Sequence, residues 1–105
     1  MTQVKFLLKG ESIYGFEIKG HSSRDCNDDE GALVCAAVSS AAYMAANTVT
    51  EVIGDSCKAA VSDALMRVEV ENPCKETVAV LLGLKLHLTE LSKQYGKRIK
   101  ITTEV

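Results

Sequence analysis

The chain has 105 residues, 47% of them hydrophobic, with 12 basic side chains against 14 acidic ones. This length suits a single domain over residues 1–105, and a formal net charge of -2 gives no field that would attract nucleic acid. We expect a cytoplasmic protein without a membrane anchor, because residues 1–9 lack a signal-peptide cleavage site and no segment reaches about 18 apolar residues.

Two runs of alternating apolar residues near the N-terminus predict a β-hairpin that ends near His21. A turn over residues 10–12 separates the runs, and the polar stretch over residues 20–31 predicts a long loop after them. The alternating positions are Val4, Phe6 and Leu8 in the first strand and Tyr14, Phe16 and Ile18 in the second.

The central segment, residues 32–53, predicts a helix because its apolar residues recur every three or four positions. Gly54 follows as a left-handed stop. The residues that define this apolar face are Val34, Val38, Ala41, Ala42, Ala45, Val49, Val52 and Ile53.

The second half predicts two short strands, a helix and a last strand. The strands cover residues 58–61 and 64–70 around a turn at Ser62 and Asp63, and a last strand covers residues 98–105. Asn72 and Pro73 are a typical cap and first residue for the helix that precedes the last strand, and Gly96 ends that helix. The apolar stripe of that helix is Val80, Leu81, Leu84, Leu88, Leu91 and Tyr95.

The predicted order is therefore β-β-α-β-β-α-β. Helices alternating with pairs of strands favour an α+β fold, in which a mixed β-sheet carries two helices packed on one face. The basic residues at the end of the second helix, among them Lys97 and Arg98, are interpreted as a solvated helix end.

The four cysteines are scattered without a C-x-x-C pair, which argues against a zinc site, and in the cytoplasm they would remain thiols. Cys35 is placed in the first turn of the predicted central helix, where free backbone N–H groups favour a thiolate. His21 lies at the other end of the polar loop and is the usual partner of a reactive thiol. Catalysis competes here with a simpler interpretation, in which Cys35 is a core residue and His21 an exposed loop histidine.

Two segments strengthen the catalytic hypothesis when they are taken together. They are Gly20-His21-Ser22 at the end of the second strand and Leu33-Val34-Cys35-Ala36-Ala37-Val38-Ser39-Ser40-Ala41 at the start of the central helix. Both resemble motifs of the ribosomal-processing cysteine protease family, often called Prp, and the likeness covers nearly the whole chain.

The resemblance implies a cysteine endopeptidase that removes a short N-terminal extension from a large-subunit ribosomal protein. It places the family's histidine at His21, its nucleophile at Cys35 and a small hydroxyl residue that contacts substrate at Ser39. It also implies a homodimer, and we expect no metal and no cofactor. Backbone N–H groups near the helix start would stabilise the oxyanion, and residues 22–31 would form a lid over the substrate.

The sequence departs from the family pattern at Ala32, where members commonly carry an aspartate three residues before the cysteine. Asp28, Asp29 or Glu30 could take over its role, although a solvated acidic run is the more common explanation for such residues.

Two other functions stay open at this stage. The domain could bind a ribosomal protein without cleaving it, or it could be a redox sensor in which Cys26 and Cys35 form a disulfide.

Overall fold

The computed structural model describes residues 1–20 and 28–105. Its elements follow the predicted order, and the prediction of an α+β fold with a mixed sheet is confirmed. The central helix continues beyond its last α-helical residue as a π-helical extension over Thr48–Ile53. The elements are β1 Thr2–Lys9, β2 Ser12–Lys19, α1 Asp29–Asn47, β3 Cys57–Ser62, β4 Leu65–Val70, α2 Lys75–Gln94 and β5 Ile99–Glu104.

The five strands form one sheet in the order β3-β4-β2-β1-β5. Neighbouring strands run antiparallel except β1 and β5, which are parallel because α2 carries the chain back across the sheet. The strands β3 and β5 are therefore the two edges of the sheet.

The core lies between one face of the sheet and the two helices. Phe6, Phe16 and Val68 stand opposite one another on three adjacent strands, and all three are fully buried. Leu81 and Leu88 of α2 are equally buried, as the predicted apolar stripe requires. The opposite face of the sheet, the open face, carries cross-strand ion pairs between Arg67 and Glu17 and between Lys5 and Glu104. It also carries an ion pair between Arg67 and Glu69 within β4.

The central helix ends where the sequence predicts. Gly54 has a φ of 85°, and its amide donates to the carbonyl oxygen of Val49 five residues earlier at 2.9 Å. Contrary to the sequence-based expectation, the continuous helix over Asp29–Ile53 is long and apolar enough to cross a membrane by length and composition alone. The core helix of a soluble protein passes the same test, and α1 buries Val34, Val38 and Ala42 in this fold.

The turn between β3 and β4 lies one residue later than predicted, at Asp63 and Ala64, and β3 begins at Cys57 rather than at residue 58. Ala64 occupies the left-handed region with a φ of 60°. Its carbonyl oxygen accepts a hydrogen bond of 2.8 Å from the amide of Gly20, which ties this turn to the end of β2.

The predicted cap of α2 is wrong by two residues. Cys74, rather than Asn72, is the N-cap, and its own side chain makes no capping hydrogen bond. Instead Asp55, from the segment after the π-helical extension, accepts from the Cys74 amide at 2.9 Å and from the hydroxyl of buried Thr77 at 2.6 Å. These hydrogen bonds, the Cys74 amide bond first, hold the pKa of Asp55 below its ordinary value.

Candidate active site

A cavity of about 130 Å³ opens at the end of the sheet where β2 ends and the β3–β4 turn lies. One wall is a flank of α1 that presents Cys35 and, one helical turn later, Ser39. Two of the three predicted site residues therefore share one cavity. The remaining lining residues are Thr2, Ile18, Gly20, Val38, Ala42, Tyr43, Val61, Ser62, Ala64, Leu65 and Met66.

The third predicted site residue, His21, lies outside the described residues, as do Cys26 and most of the predicted lid, residues 22–27. The residue before His21 lies within the described range, and its backbone conformation is restricted. Gly20 has a φ of 86°, and a Cβ atom there would lie 2.6 Å from the carbonyl oxygen of Met1. Only glycine fits this conformation and this close approach, so the chain leaves β2 at the cavity in a fixed place.

The start of α1 differs from the prediction, and this changes the setting of Cys35. The helix begins at Asp29 rather than at residue 32, so Cys35 is its seventh residue and lies in the second turn. The Gly31 amide, in the first turn, already donates to the Asp28 side chain at 3.1 Å. The expectation that first-turn N–H groups flank Cys35 is therefore wrong.

The acidic run before Cys35 has a structural role. The Asp28 Oδ1 atom caps α1 at Gly31, and Oδ2 accepts a hydrogen bond of 2.7 Å from Arg98. Arg98 also donates to Glu30 at 2.9 Å. Both carboxylates raise the pKa of Arg98, the Asp28 hydrogen bond contributing most.

Of the three acids considered as replacements at Ala32, Asp28 thus takes the capping position, whereas Asp29 and Glu30 are exposed. The interpretation of Arg98 as part of a solvated helix end is wrong. Its side chain is only 18% exposed and joins the start of β5 to the start of α1.

The other described thiols lie away from this cavity. Cys57 starts β3, and burial raises the pKa of its thiol, which lowers its reactivity. Cys74 caps α2. Among residues 1–20 and 28–105, no group of three His, Cys, Asp or Glu side chains could hold a metal ion.

Sequence reasoning missed the wall of the cavity that faces α1. Val61 and Leu65 belong to the β3–β4 hairpin, and neither belongs to a motif. The alternation of Ala64, Met66, Val68 and Val70 predicted a strand here, but only the sheet order shows that this hairpin ends beside Cys35.

The fold and the cavity define a class of protein: a small α+β domain with a partly buried thiol on a helix that flanks a cleft. The family model described as cysteine protease Prp matches residues 1–100. This chain belongs to that family and is a cysteine protease.

Solved structures show the same fold. The ribosomal processing protease Prp from Staphylococcus aureus, with a covalently linked product peptide, superposes with a TM-score of 0.86 at 16% identity, covering 99% of this chain and 100% of the other. The same protease with a substrate peptide gives 0.86 at 15% identity over the same shares. A Streptococcus mutans protein gives 0.81 at 21% identity, covering 99% of each chain. A comparison with curated protein sequences gave no match.

Proposed function

We propose that this protein is the endopeptidase that removes a short N-terminal extension from a large-subunit ribosomal protein in the cytoplasm. The observation that carries the proposal is the cavity in which Cys35 and Ser39 lie on one wall of α1. The Staphylococcus aureus relative, which is named a ribosomal processing protease, supports the choice of substrate.

In the proposed reaction the Cys35 thiolate attacks the carbonyl carbon of the scissile peptide bond and forms a thioester. The His21 imidazolium gives its proton to the leaving amine as the C–N bond breaks. Water then attacks the thioester, His21 takes a proton from that water, and the thiolate is released. Ser39, one turn beyond Cys35 on the same wall, contacts the substrate backbone.

The test is cleavage of a peptide that spans the ribosomal-protein extension, followed by mass spectrometry. Cys35→Ser should abolish cleavage because a hydroxyl has a far higher pKa than a thiol, and His21→Ala should slow it by about 10²–10⁴-fold. The matched control is Cys74→Ser, which removes a thiol outside the cavity and places a favoured capping residue at the α2 N-cap. The assignment fails if Cys35→Ser cleaves at the parental rate while its thermal melt is unchanged.

We also propose that the protein is a homodimer. The apolar residues of β1 and β2 are mostly used by the core, whereas the helix layer leaves large apolar side chains exposed. No charged residue lies between Ala32 and Thr50, in α1 and the start of its π-helical extension. An uncharged face of this kind suits contact with a second copy. The exposed apolar side chains are Leu33 and Met44 on α1 and Leu82 and Leu86 on α2.

A further inference from the structure

The edge strand β3 lacks the features that normally protect a sheet edge. Its residues pair with β4 in an unbroken register without a bulge, and it contains no proline. Lys58 is its one charged residue, and every residue after Cys57 is exposed. No strand among residues 1–20 and 28–105 pairs with its outer side. Such an edge is a template for an added strand.

The backbone groups that β3 offers follow from its pairing. Ser62 and Leu65 flank the two-residue turn and form a hydrogen-bonded pair, so the bonded pairs alternate from there along the hairpin. The bond of 3.2 Å from the Glu71 amide to the Ser56 carbonyl oxygen fits this alternation at the far end. The N–H and C=O groups of Ala59 and Val61 therefore point away from β4.

The outer side of β3 is continuous with the cavity that contains Cys35. Val61 stands opposite buried Met66, which places its side chain on the helix side of the sheet, and both residues line the cavity. Val61 as a whole is nevertheless 55% exposed, because no described element covers it. Together with Tyr43 of α1 it lines this cavity, whose surface is more apolar than polar, and we call the part of the cavity beside Val61 the channel.

We infer that the substrate binds as a sixth strand along β3, with its main chain bonded to Ala59 and Val61 and alternate side chains directed into the channel beside Val61. This inference rests on the proposed endopeptidase function. An extended peptide is the occupant because the channel leads to Cys35, and pairing along an edge presents a scissile bond in one register. A second copy of the chain on this edge would block the cavity rather than complete it.

The first test compares two substitutions at neighbouring positions of β3. Val61→Glu places a carboxylate in the apolar channel, whereas Ala60→Glu places one on the open face next to Arg67. Binding of the fluorescently labelled extension peptide to the uncleaving Cys35→Ser protein should weaken about tenfold or more with Val61→Glu and less than about twofold with Ala60→Glu. Equal effects of the two substitutions would overturn the inference.

The second test modifies the peptide backbone and leaves the protein unchanged. Single N-methyl groups are placed along the peptide, and each one removes one amide donor. Affinity should fall about five- to tenfold at every second position of the paired segment and little at the positions between. Uniform tolerance alongside normal cleavage of the unmodified peptide refutes strand pairing but leaves the protease assignment intact.

Two further outcomes of these experiments would overturn the inference. A parental protein that neither binds nor cleaves the peptide overturns the proposed function and this inference together. If Val61→Glu instead turns a dimer into a monomer in sedimentation experiments and leaves peptide affinity unchanged, a second copy occupies the edge and the inference is wrong.

Discussion

Asp28 should stabilise the protein in two separable ways, as the cap of α1 and as the partner of Arg98. One carboxylate oxygen accepts from the Gly31 amide and the other from Arg98. The Asp28 side chain is only 9% exposed, so water replaces neither partner easily. Asp28→Asn keeps an acceptor for the cap but removes the charge, and Asp28→Ala removes both.

The capping hydrogen bond sets the size of the expected loss of stability. Replacing an N-cap aspartate by alanine costs about 1 kcal/mol of unfolding free energy. At an unfolding entropy of about 2.1 cal/mol/K per residue, the 105 residues give about 0.22 kcal/mol/K, so this loss alone lowers Tm by about 4–5 °C. Asp28→Ala should lose at least that much, and Asp28→Asn clearly less because asparagine caps as well as aspartate.

Thermal and urea unfolding measure these differences, and Asp29→Ala is the matched control. Asp29 is an exposed acid in the first turn of the same helix, so its removal loses only about 0.3–1 kcal/mol of interaction with the helix dipole. A double-mutant cycle with Arg98→Gln isolates the ion pair. The reasoning is refuted if Asp28→Ala and Asp29→Ala unfold at the same temperature, or if the cycle shows no coupling.

Two other predictions concern the turn at Ala64 and the carboxylate of Asp55. Ala64→Gly should raise stability by about 0.5–1 kcal/mol, because its φ of 60° strains an alanine but not a glycine; a lower Tm would contradict this. Asp55 stabilises the fold at pH values above its ordinary pKa of about 3.9, and this contribution is lost as the pH falls through the lower folded-state pKa. In urea unfolding, the free energy of unfolding of the parental protein should exceed that of Asp55→Asn by less and less between about pH 6 and pH 2. A difference that stays constant with pH would contradict this role of the Asp55 carboxylate.

Local patterns were sufficient for the elements but not for their ends. Alternation and helical periodicity identify β1, β2, β4 and the two helices because the faces that they define are buried in the core, whereas β3 is exposed after Cys57. The start of α1 was misplaced because residues 29–31 are polar or glycine and carry no periodicity. Asn72 and Pro73 form a typical local cap, yet Asp55, 19 residues before Cys74, caps α2 instead. Such contacts between distant segments are invisible to a local pattern.

In the candidate site, too, local patterns identify some residues and miss those that depend on contacts between distant segments. Cys35 and Ser39 are four residues apart, so the helical repeat alone places them on one face, and the structure puts both in one cavity. The opposite wall at Val61 and Leu65 depends on sheet order, which the sequence left undetermined. Arg98 pairs with a residue 70 positions away, and no motif marks either partner.

The setting of Cys35 limits what can activate its thiol. In the second turn of α1 it lies beyond the unbonded amides that make a helix start favourable for a thiolate. The same helix start carries three consecutive acidic residues, whose negative charge opposes thiolate formation, and Arg98 compensates two of them, Asp28 and Glu30. In the proposed mechanism, the imidazolium of His21 is the positive partner that favours the Cys35 thiolate.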